Sequence, residues 1–395
     1  MTALMVQGAS SSAGKSVITT ALARALRRRG IDVVPFKAQN MSNNARVVEG
    51  GEIGTAQYLQ ALAAGVVPDV RMNPVLVKPE GDTRSQVVVL GHPDHELSAL
   101  PWRERATALW KVIEGALASL QREHEFVLLE GAGSPAEINL RDTDLANMRT
   151  AAAAGARVLV VADIDRGGAF AHLYGTWALL SEVDRARIDG FVLNKFRGDA
   201  ALLAPAPQQL EELTGVPTIG VLPWLRHGLP DEDGAFVTAT TAAGPTVAVV
   251  RYPTASNLDE YKLLEQVARV RWATTPGDLV GASLVVLPGS KHVAADLAWL
   301  RSTGLADAVI AGDAPLLGIC GGFQMLGRRL EDPHGVDGSA DALGLLPLVT
   351  RFARAKTTRQ TLARFGELPP PWGSLSRLEV RGYEIRHGET TVEEP

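Results

Sequence analysis

The sequence predicts an α/β chain in two parts, an N-terminal doubly wound parallel sheet and a second α/β unit after it. Three observations predict this. Short apolar runs alternate with longer amphipathic stretches, the pattern of strands buried on both faces and covered by helices. The alternation lapses around Leu229–Pro245, in the small and polar run DEDGAFVTATTAAGP, and then resumes. The chain has 395 residues, 46% hydrophobic and 21% charged, which is folded-protein composition in a length too great for one ordinary core.

Taken in order, the apolar runs place strands at Ala3–Gln7, Val33–Phe36, Phe126–Leu129, Val158–Ala162, Gly190–Leu193 and Thr218–Leu222. Ala- and Leu-rich stretches with helical periodicity lie between them, at Val17–Arg29, Ala56–Ala64, Glu104–Leu120 and Ala169–Leu180. Beyond the lapse come strands at Val247–Arg251, Leu284–Leu287 and Leu316–Ile319, with helices near Leu258–Val267, Ala294–Arg301 and Gly322–Arg329. After Leu330 the periodicity weakens until a strand-like Arg377–Ile385. The expected domains are therefore 1–230 and 246–395, joined by a linker over 231–245, with no internal repeat.

Composition narrows the partners. A formal charge of −5 gives no polybasic footprint, so nucleic acid is not expected. Cys320 is the single cysteine, which excludes an intrachain disulfide and a Cys-rich metal site. The start, MTALMVQGAS, has no basic segment followed by a long apolar one, and no run reaches the roughly 18–20 apolar residues of a membrane span. The expectation is a cytoplasmic protein with no membrane partner.

The first strand runs directly into GASSSAGKS, Gly8 to Ser16, and then into a helix. Small residues between strand and helix let backbone N–H groups, including those of Gly8, Ser12 and Gly14, converge on phosphate oxygens at the positive helix end. Lys15 is expected on the β- and γ-phosphates, and the Ser16 hydroxyl on Mg²⁺. The spacing is that of a lengthened P-loop, because Ala9 holds the usual place of the first glycine and Gly8 lies one step earlier. Phe126–Leu129 leads into Glu130-Gly131-Ala132-Gly133, which puts a carboxylate at a strand's carboxyl end with glycines that permit close approach of a ligand. Glu130 is the expected second metal ligand. Asp163, Asp165 and Arg166, in ADIDRGG, end another strand and are either substrate-binding or a salt-bridged turn. Asn194 ends GFVLNK, where its carboxamide is placed to read an adenine edge. The loop KAQNMSNNA carries Lys37, Gln39, Asn40 and Asn43, which suit a polyanionic, hydrogen-bond-rich substrate, although Asn-rich loops are also ordinary turn chemistry.

In the second part, LGICGGFQMLG runs from a strand into Cys320, two glycines and a helix. This is a nucleophile elbow, in which a tight turn exposes the thiol and the helix N-terminus stabilises thiolate and oxyanion. LPGSKH places Gly289 after another strand, where its backbone N–H can complete an oxyanion hole. A thiol nucleophile needs a base, and the histidines that follow Cys320 are His334, in the turn DPHG, and His387, after GYEIR. His387 is the candidate base.

These motifs together resemble the cobyric acid synthase family. The resemblance is carried by GASSSAGKS, KAQNMSNNA, EIGTAQYLQA, NPVLVKP, LEGAGSPAEINL, DIDRGGAF, LNKFRGD, LPGSKH, GICGGFQMLG, DPHG and GYEI, from residue 2 to about residue 390. KAQNMSNNA with DIDRGG is its most specific part. A wider relationship includes dethiobiotin synthetase, which is similar in its lengthened phosphate loop, its EGAG segment and its adenine-reading Asn. The resemblance implies a glutamine amidotransferase-like second domain and amidation of the b, d, e and g carboxylates of adenosylcobyrinic acid a,c-diamide, with ATP, Mg²⁺ and glutamine. It implies that Lys15, Ser16, Glu130, Asn194 and Cys320 hold the roles given above. The partner it implies is a corrinoid; the sequence leaves the oligomeric state open, with a homodimer as the assembly to test. The family's catalytic His lies in a Tyr-Leu-His-Gly segment beyond the GYEI strand, whereas this sequence stops at Pro395, and Arg386 stands where the family usually has His. The expectation is thus a complete synthetase half and a truncated glutaminase half, with glutaminase activity reduced by several orders of magnitude while free ammonia supports synthesis. The alternatives are a cobyrinic acid a,c-diamide synthase, which KAQNMSNNA and DIDRGG argue against, a nonenzymatic nucleotide switch and an inactive binding protein.

Overall fold

A computed structural model of the chain describes residues 2–80, 84–225, 227–229, 244–370 and 372–393. Of the expected linker over 231–245, residues 231–243 lie outside the described residues. The chain divides into two compact units, one of Met1–Ser42, Glu52–Val77 and Gln86–Glu232, the other of Asn43–Gly51, Lys78–Ser85 and Asp233–Pro395. A single crossing near 231–245 does not describe this division, because two short N-terminal segments belong to the second unit. Polar contacts hold them there. The Ala45 N–H donates to Asn257 Oδ1 at 2.9 Å, Arg46 pairs with Asp259, and Lys291 Nζ lies 2.7 Å from Glu80 Oε1.

The first unit is built on six parallel strands in the spatial order 218–223, 188–196, 157–163, 2–8, 126–130, 33–36. All six expected strands are present, and the apolar residues of the central ones are buried on both faces, as in Val158, Val160 and Val161. The chain leaves Thr2–Gly8 for Val33–Phe36, returns to Phe126–Glu130 beside the first strand, and then crosses to its other side. That reversal of winding is a topological switch point at the carboxyl end of Thr2–Gly8, the place where open α/β sheets bind ligands. Helices Lys15–Arg28, Thr55–Ala64, Trp102–Glu123 and Ala169–Leu179 cover the sheet. The long helix Trp102–Glu123 buries Leu109, Ile113, Leu117 and Leu120, a 3.6-residue stripe packed with Met5, Phe36 and Leu129. A small sheet of Gln39–Met41, Val75–Pro79, Ser85–Val89 and His92–Asp94 was not anticipated.

The second unit has four parallel strands in the order 269–273, 246–250, 284–287, 316–318. Val293–Ser302 and Leu305–Ala311 pack on it through Leu297, Leu300, Leu305 and Val309. Three expectations change here. Leu258–Gln266 is 3-10 rather than α-helical. The helix after Cys320 is only Gly321–Met325, because the chain turns at once into the strand Arg329–Glu331. The strand expected at Arg377–Ile385 starts at Glu379, extends to Val392, and pairs antiparallel with a 17-residue strand, Leu348–Arg364. That partner is exposed along much of both faces, so it carries no apolar alternation for a sequence reading to find.

Candidate functional site

The first unit gathers its predicted phosphate residues at the switch point. Thr2–Gly8 delivers the chain to the loop, where Ser12 and Gly14 take positive φ of 58° and 101° before the helix starts at Lys15. Gly14 is required for packing as well as for conformation, since a Cβ there would lie 2.1 Å from Asn194 Nδ2. A Cβ at Gly8 would meet the Ser10 carbonyl at 2.7 Å. Lys15 Nζ reaches the Gly133 carbonyl at 3.3 Å, which brings the phosphate loop to the EGAG segment.

Glu130 is the hub. It is level with Val6 in the sheet register and fully buried. Ser16 Oγ donates to its Oε1 at 2.9 Å, Lys37 Nζ lies 2.9 Å from the same oxygen, and Gln60 Nε2 donates to Oε2 at 2.5 Å. A buried carboxylate is tolerated only when so surrounded by donors. Lys37, expected to face a polyanionic substrate, is therefore itself buried and paired with Glu130. Asn194 Nδ2 donates to the Ala13 carbonyl at 2.9 Å, so one of its two N–H donors braces the loop Gly8–Ser16. Lys195 Nζ does the same at the Ser12 carbonyl, 2.9 Å away, and holds Asp163 at 2.8 Å. Asp163 also pairs with Arg166 Nε at 3.4 Å and accepts the Asp165 N–H, while Asp165 pairs with Arg197 at 3.0 Å. These contacts make ADIDRGG a salt-bridged turn at the strand end, with Asp163, Asp165 and Arg166 all in it. In KAQNMSNNA, Gln39 is half-buried, Asn40 Nδ2 donates to Gln57 Oε1 at 3.2 Å, and Asn43 Nδ2 donates to the Pro79 carbonyl at 3.3 Å. Those two amides are thus engaged with the protein.

In the second unit Cys320 sits between Leu316–Gly318 and the short helix with φ 50° and ψ −112°, a strained conformation for a residue with a side chain. Glycines make the turn fit. A Cβ at Gly322 would stand 2.0 Å from the Leu287 carbonyl, and one at Gly321 would stand 2.8 Å from Ser290 N. Gly289 and Ser290 pair antiparallel with Ser256 and Ala255. Asp296, 1% exposed, braces that loop by accepting from Ser290 Oγ at 2.6 Å and from the Thr254 hydroxyl at 2.7 Å. Burial pushes the Asp296 carboxyl pKa up against these hydrogen bonds. Cys320 as a residue is exposed, yet enough protein surrounds its thiol that desolvation is the largest influence and raises its pKa. The Gly321 N–H, Arg386 and Lys356 act in the opposite direction. Cys320 Sγ lies 3.7 Å from the Ile385 carbonyl, so GYEI borders the thiol. His387 Nδ1 is engaged 3.2 Å from the Ala353 carbonyl of the neighbouring strand. The DPHG turn has a structural function. Asp332 accepts the N–H groups of His334, Val336 and Asp337, and Asp337 accepts those of Val293 and Ala294 at the start of a helix.

Residues 4–228 match the family described as the CobQ/CobB/MinD/ParA nucleotide binding domain, and residues 246–395 match the CobB/CobQ-like glutamine amidotransferase domain. The cobyric acid synthase of Variovorax paradoxus is 60% identical over 98% of this chain and 83% of its own length. Those of a Polaromonas species and of Paracidovorax citrulli are 56% and 59% identical, each over 98% of this chain and 82% of theirs. The chain belongs to the cobyric acid synthase family. As a cobyric acid synthase it is a glutamine-dependent amidotransferase ligase that amidates cobyrinic acid derivatives, using ATP at the nucleotide-binding domain and glutamine at the amidotransferase domain. No helix among the described residues is long and apolar enough to cross a membrane. Two polar residues that touch the candidate groups are absent from the sequence analysis, Gln60 beside Glu130 and Asp296 beside Ser290. The available signal was the same for both, a polar residue on the apolar face of a helix.

Proposed function

We propose that residues 1–230 phosphorylate the b, d, e and g carboxylates of adenosylcobyrinic acid a,c-diamide and that residues 246–395 release ammonia from glutamine at Cys320. The observation that carries the reading is the meeting of Lys15, Ser16, Lys37 and Glu130 at the end of Thr2–Gly8. A substrate carboxylate oxygen attacks the γ-phosphorus, the bond to ADP breaks, and ammonia displaces phosphate from the acyl phosphate with loss of a proton. Lys15 neutralises charge on the transferred group, and the loop N–H groups bind the remaining phosphate oxygens. Ser16 and Glu130, 2.9 Å apart, are the oxygen donors that suit Mg²⁺, which commonly uses one or two protein ligands and completes its shell with phosphate and water. When bound, the ion supplies further neutralisation of the phosphate oxygens. In the second part, Cys320 attacks the glutamine carboxamide carbon and Gly289 N–H accommodates the oxyanion, with His387 as the base to test first. The C–N bond breaks as the protonated nitrogen leaves as ammonia, and water hydrolyses the thioester to glutamate and the free thiol. A homodimer belongs to the same proposal and is tested by the mass in solution, and a cytoplasmic location is tested by cell fractionation.

The test supplies MgATP and the a,c-diamide with either glutamine or ammonium chloride and follows successive amidation by mass spectrometry. Product with ammonium is expected. Absence of product with either donor, in protein that binds ATP, would sink the proposal.

A further inference from the structure

The helix Thr55–Ala64 carries two fully buried glutamines, Gln57 and Gln60, on a face otherwise made largely of small residues such as Ala61 and Ala64. A buried carboxamide weakens a fold unless its hydrogen bonds are made. Gln60 Nε2 donates to Glu130 Oε2 at 2.5 Å, while Gln60 Oε1 has no hydrogen-bond partner among the described residues. Gln57 is its converse, since Oε1 accepts from Asn40 and Nε2 is unmatched among the described residues. The orientation of the Gln60 amide is fixed by chemistry, because an ionised carboxylate only accepts and so must face the NH₂ end. A methionine or leucine at position 60 would fill the same space without an orphaned acceptor. It would also leave the buried Glu130 Oε2 without that donor, so the amide is kept for its one made bond, to Glu130.

That bond divides the work of the Glu130 carboxylate. Oε1 faces Ser16 and Lys37, and Oε2 faces Gln60. With Oε2 held, the carboxylate cannot turn without breaking a short hydrogen bond, and Oε1 stays directed at the phosphate loop. We infer that Gln60 is a positioning residue for the phosphate site, fixing Glu130 so that the chain prefers metal-bound ATP over free ATP. The inference rests on the assignment of Ser16 and Glu130 to Mg²⁺ made above. Residues that orient a metal ligand typically change metal affinity by about 10–100-fold when removed.

The experiment is an equilibrium titration of ATP into the full chain, with and without Mg²⁺, so that the readout is binding rather than turnover. In the unaltered chain Mg²⁺ tightens ATP binding. Gln60→Met is expected to reduce that tightening by about tenfold or more and to leave binding of metal-free ATP unchanged. Gln57→Met, the matched replacement one turn away, is expected to keep the full tightening. Glu130→Gln separates the two layers of the argument. If it leaves the tightening intact, the metal assignment falls and the inference falls with it. If Glu130→Gln loses the tightening and Gln60→Met keeps it, the inference alone is overturned. Gln60→Asn, which retains the amide but is one methylene short, is expected to behave as Gln60→Met and serves if that variant does not fold. Should neither fold, Gln60 is a folding determinant and the proposal is wrong.

Discussion

Glu130 and Cys320 occupy comparable places, each just at the end of a parallel strand and next to glycines, yet the two surroundings are opposite in kind. Glu130 is fully buried, with Ser16, Lys37 and Gln60 directed at its two oxygens. Cys320 is exposed, on a strained turn held by the packing of the glycines behind it. In the phosphoryl transfer we propose, charges already in place when the reaction begins lower its barrier, and the groups around Glu130 fix one another in that way. At Cys320 the backbone bears the constraint, through a strained turn that the close-packed glycines permit. The glycines differ accordingly. Gly133, beside Glu130, has φ 57° and open space where a Cβ would stand, whereas Gly322 is closed off by the Leu287 carbonyl.

The largest expected effect tests the fixed-charge half of this comparison. Lys15→Met should lower ammonium-supported amidation by about 10³-fold, because one preorganised cation is lost from the transferring phosphate. Single-turnover formation of amidated corrinoid measures it. A loss below about tenfold would mean that Lys15, directed at Gly133 in the resting chain, is not the group that meets the phosphate.

Much of this arrangement was legible because strand ends and glycines announce it. The run Gly8–Ser16, the Glu130-Gly131 junction and the Cys320 elbow follow strands that are short, apolar and bounded, and the structure has them where the pattern placed them. What could not be read was pairing. Lys37 and Glu130 are 93 residues apart, and nothing local indicates that one neutralises the other. The same holds for Asn194, whose chain position suits an adenine edge while its N–H meets Ala13, 181 residues away. The segments 43–51 and 78–85 join the second unit through partners far along the chain, such as Asn257 and Lys291. Leu348–Arg364 escaped for a different reason, since a strand with little buried face has no periodicity to display.

The next effect separates the two kinds of glycine. Gly322→Ala should destabilise the second unit by about 3 kcal/mol, since overpacking against backbone cannot be relieved by a rotamer change. Gly133→Ala should cost the first unit about 1 kcal/mol, the strain of a left-handed residue in open space. Hydrogen exchange read peptide by peptide assigns each loss to its unit. Equal costs would remove the distinction between a glycine kept for conformation and one kept for contact.

The smallest effect concerns the thiol itself. Desolvation raises the Cys320 pKa above that of an ordinary cysteine, so at neutral pH the thiol form dominates more strongly than usual. Alkylation by iodoacetamide should therefore rise roughly tenfold per pH unit through neutrality and reach no plateau below about pH 8.5, the ordinary thiol value. Arg386 acts to lower that pKa, but its guanidinium is shared with Glu384, 2.9 Å away. Arg386→Ala should then slow alkylation at a fixed neutral pH only a few-fold, the scale of a partly screened charge near the surface. Because Cys320 is the single cysteine, the modified peptide reports this site alone. A plateau near pH 7 would reveal a base acting on the thiol, and His387→Ala would show whether it is the histidine now engaged with Ala353. That result would make the second centre as preorganised as the first, and the contrast between a fixed carboxylate and a presented thiol would no longer hold.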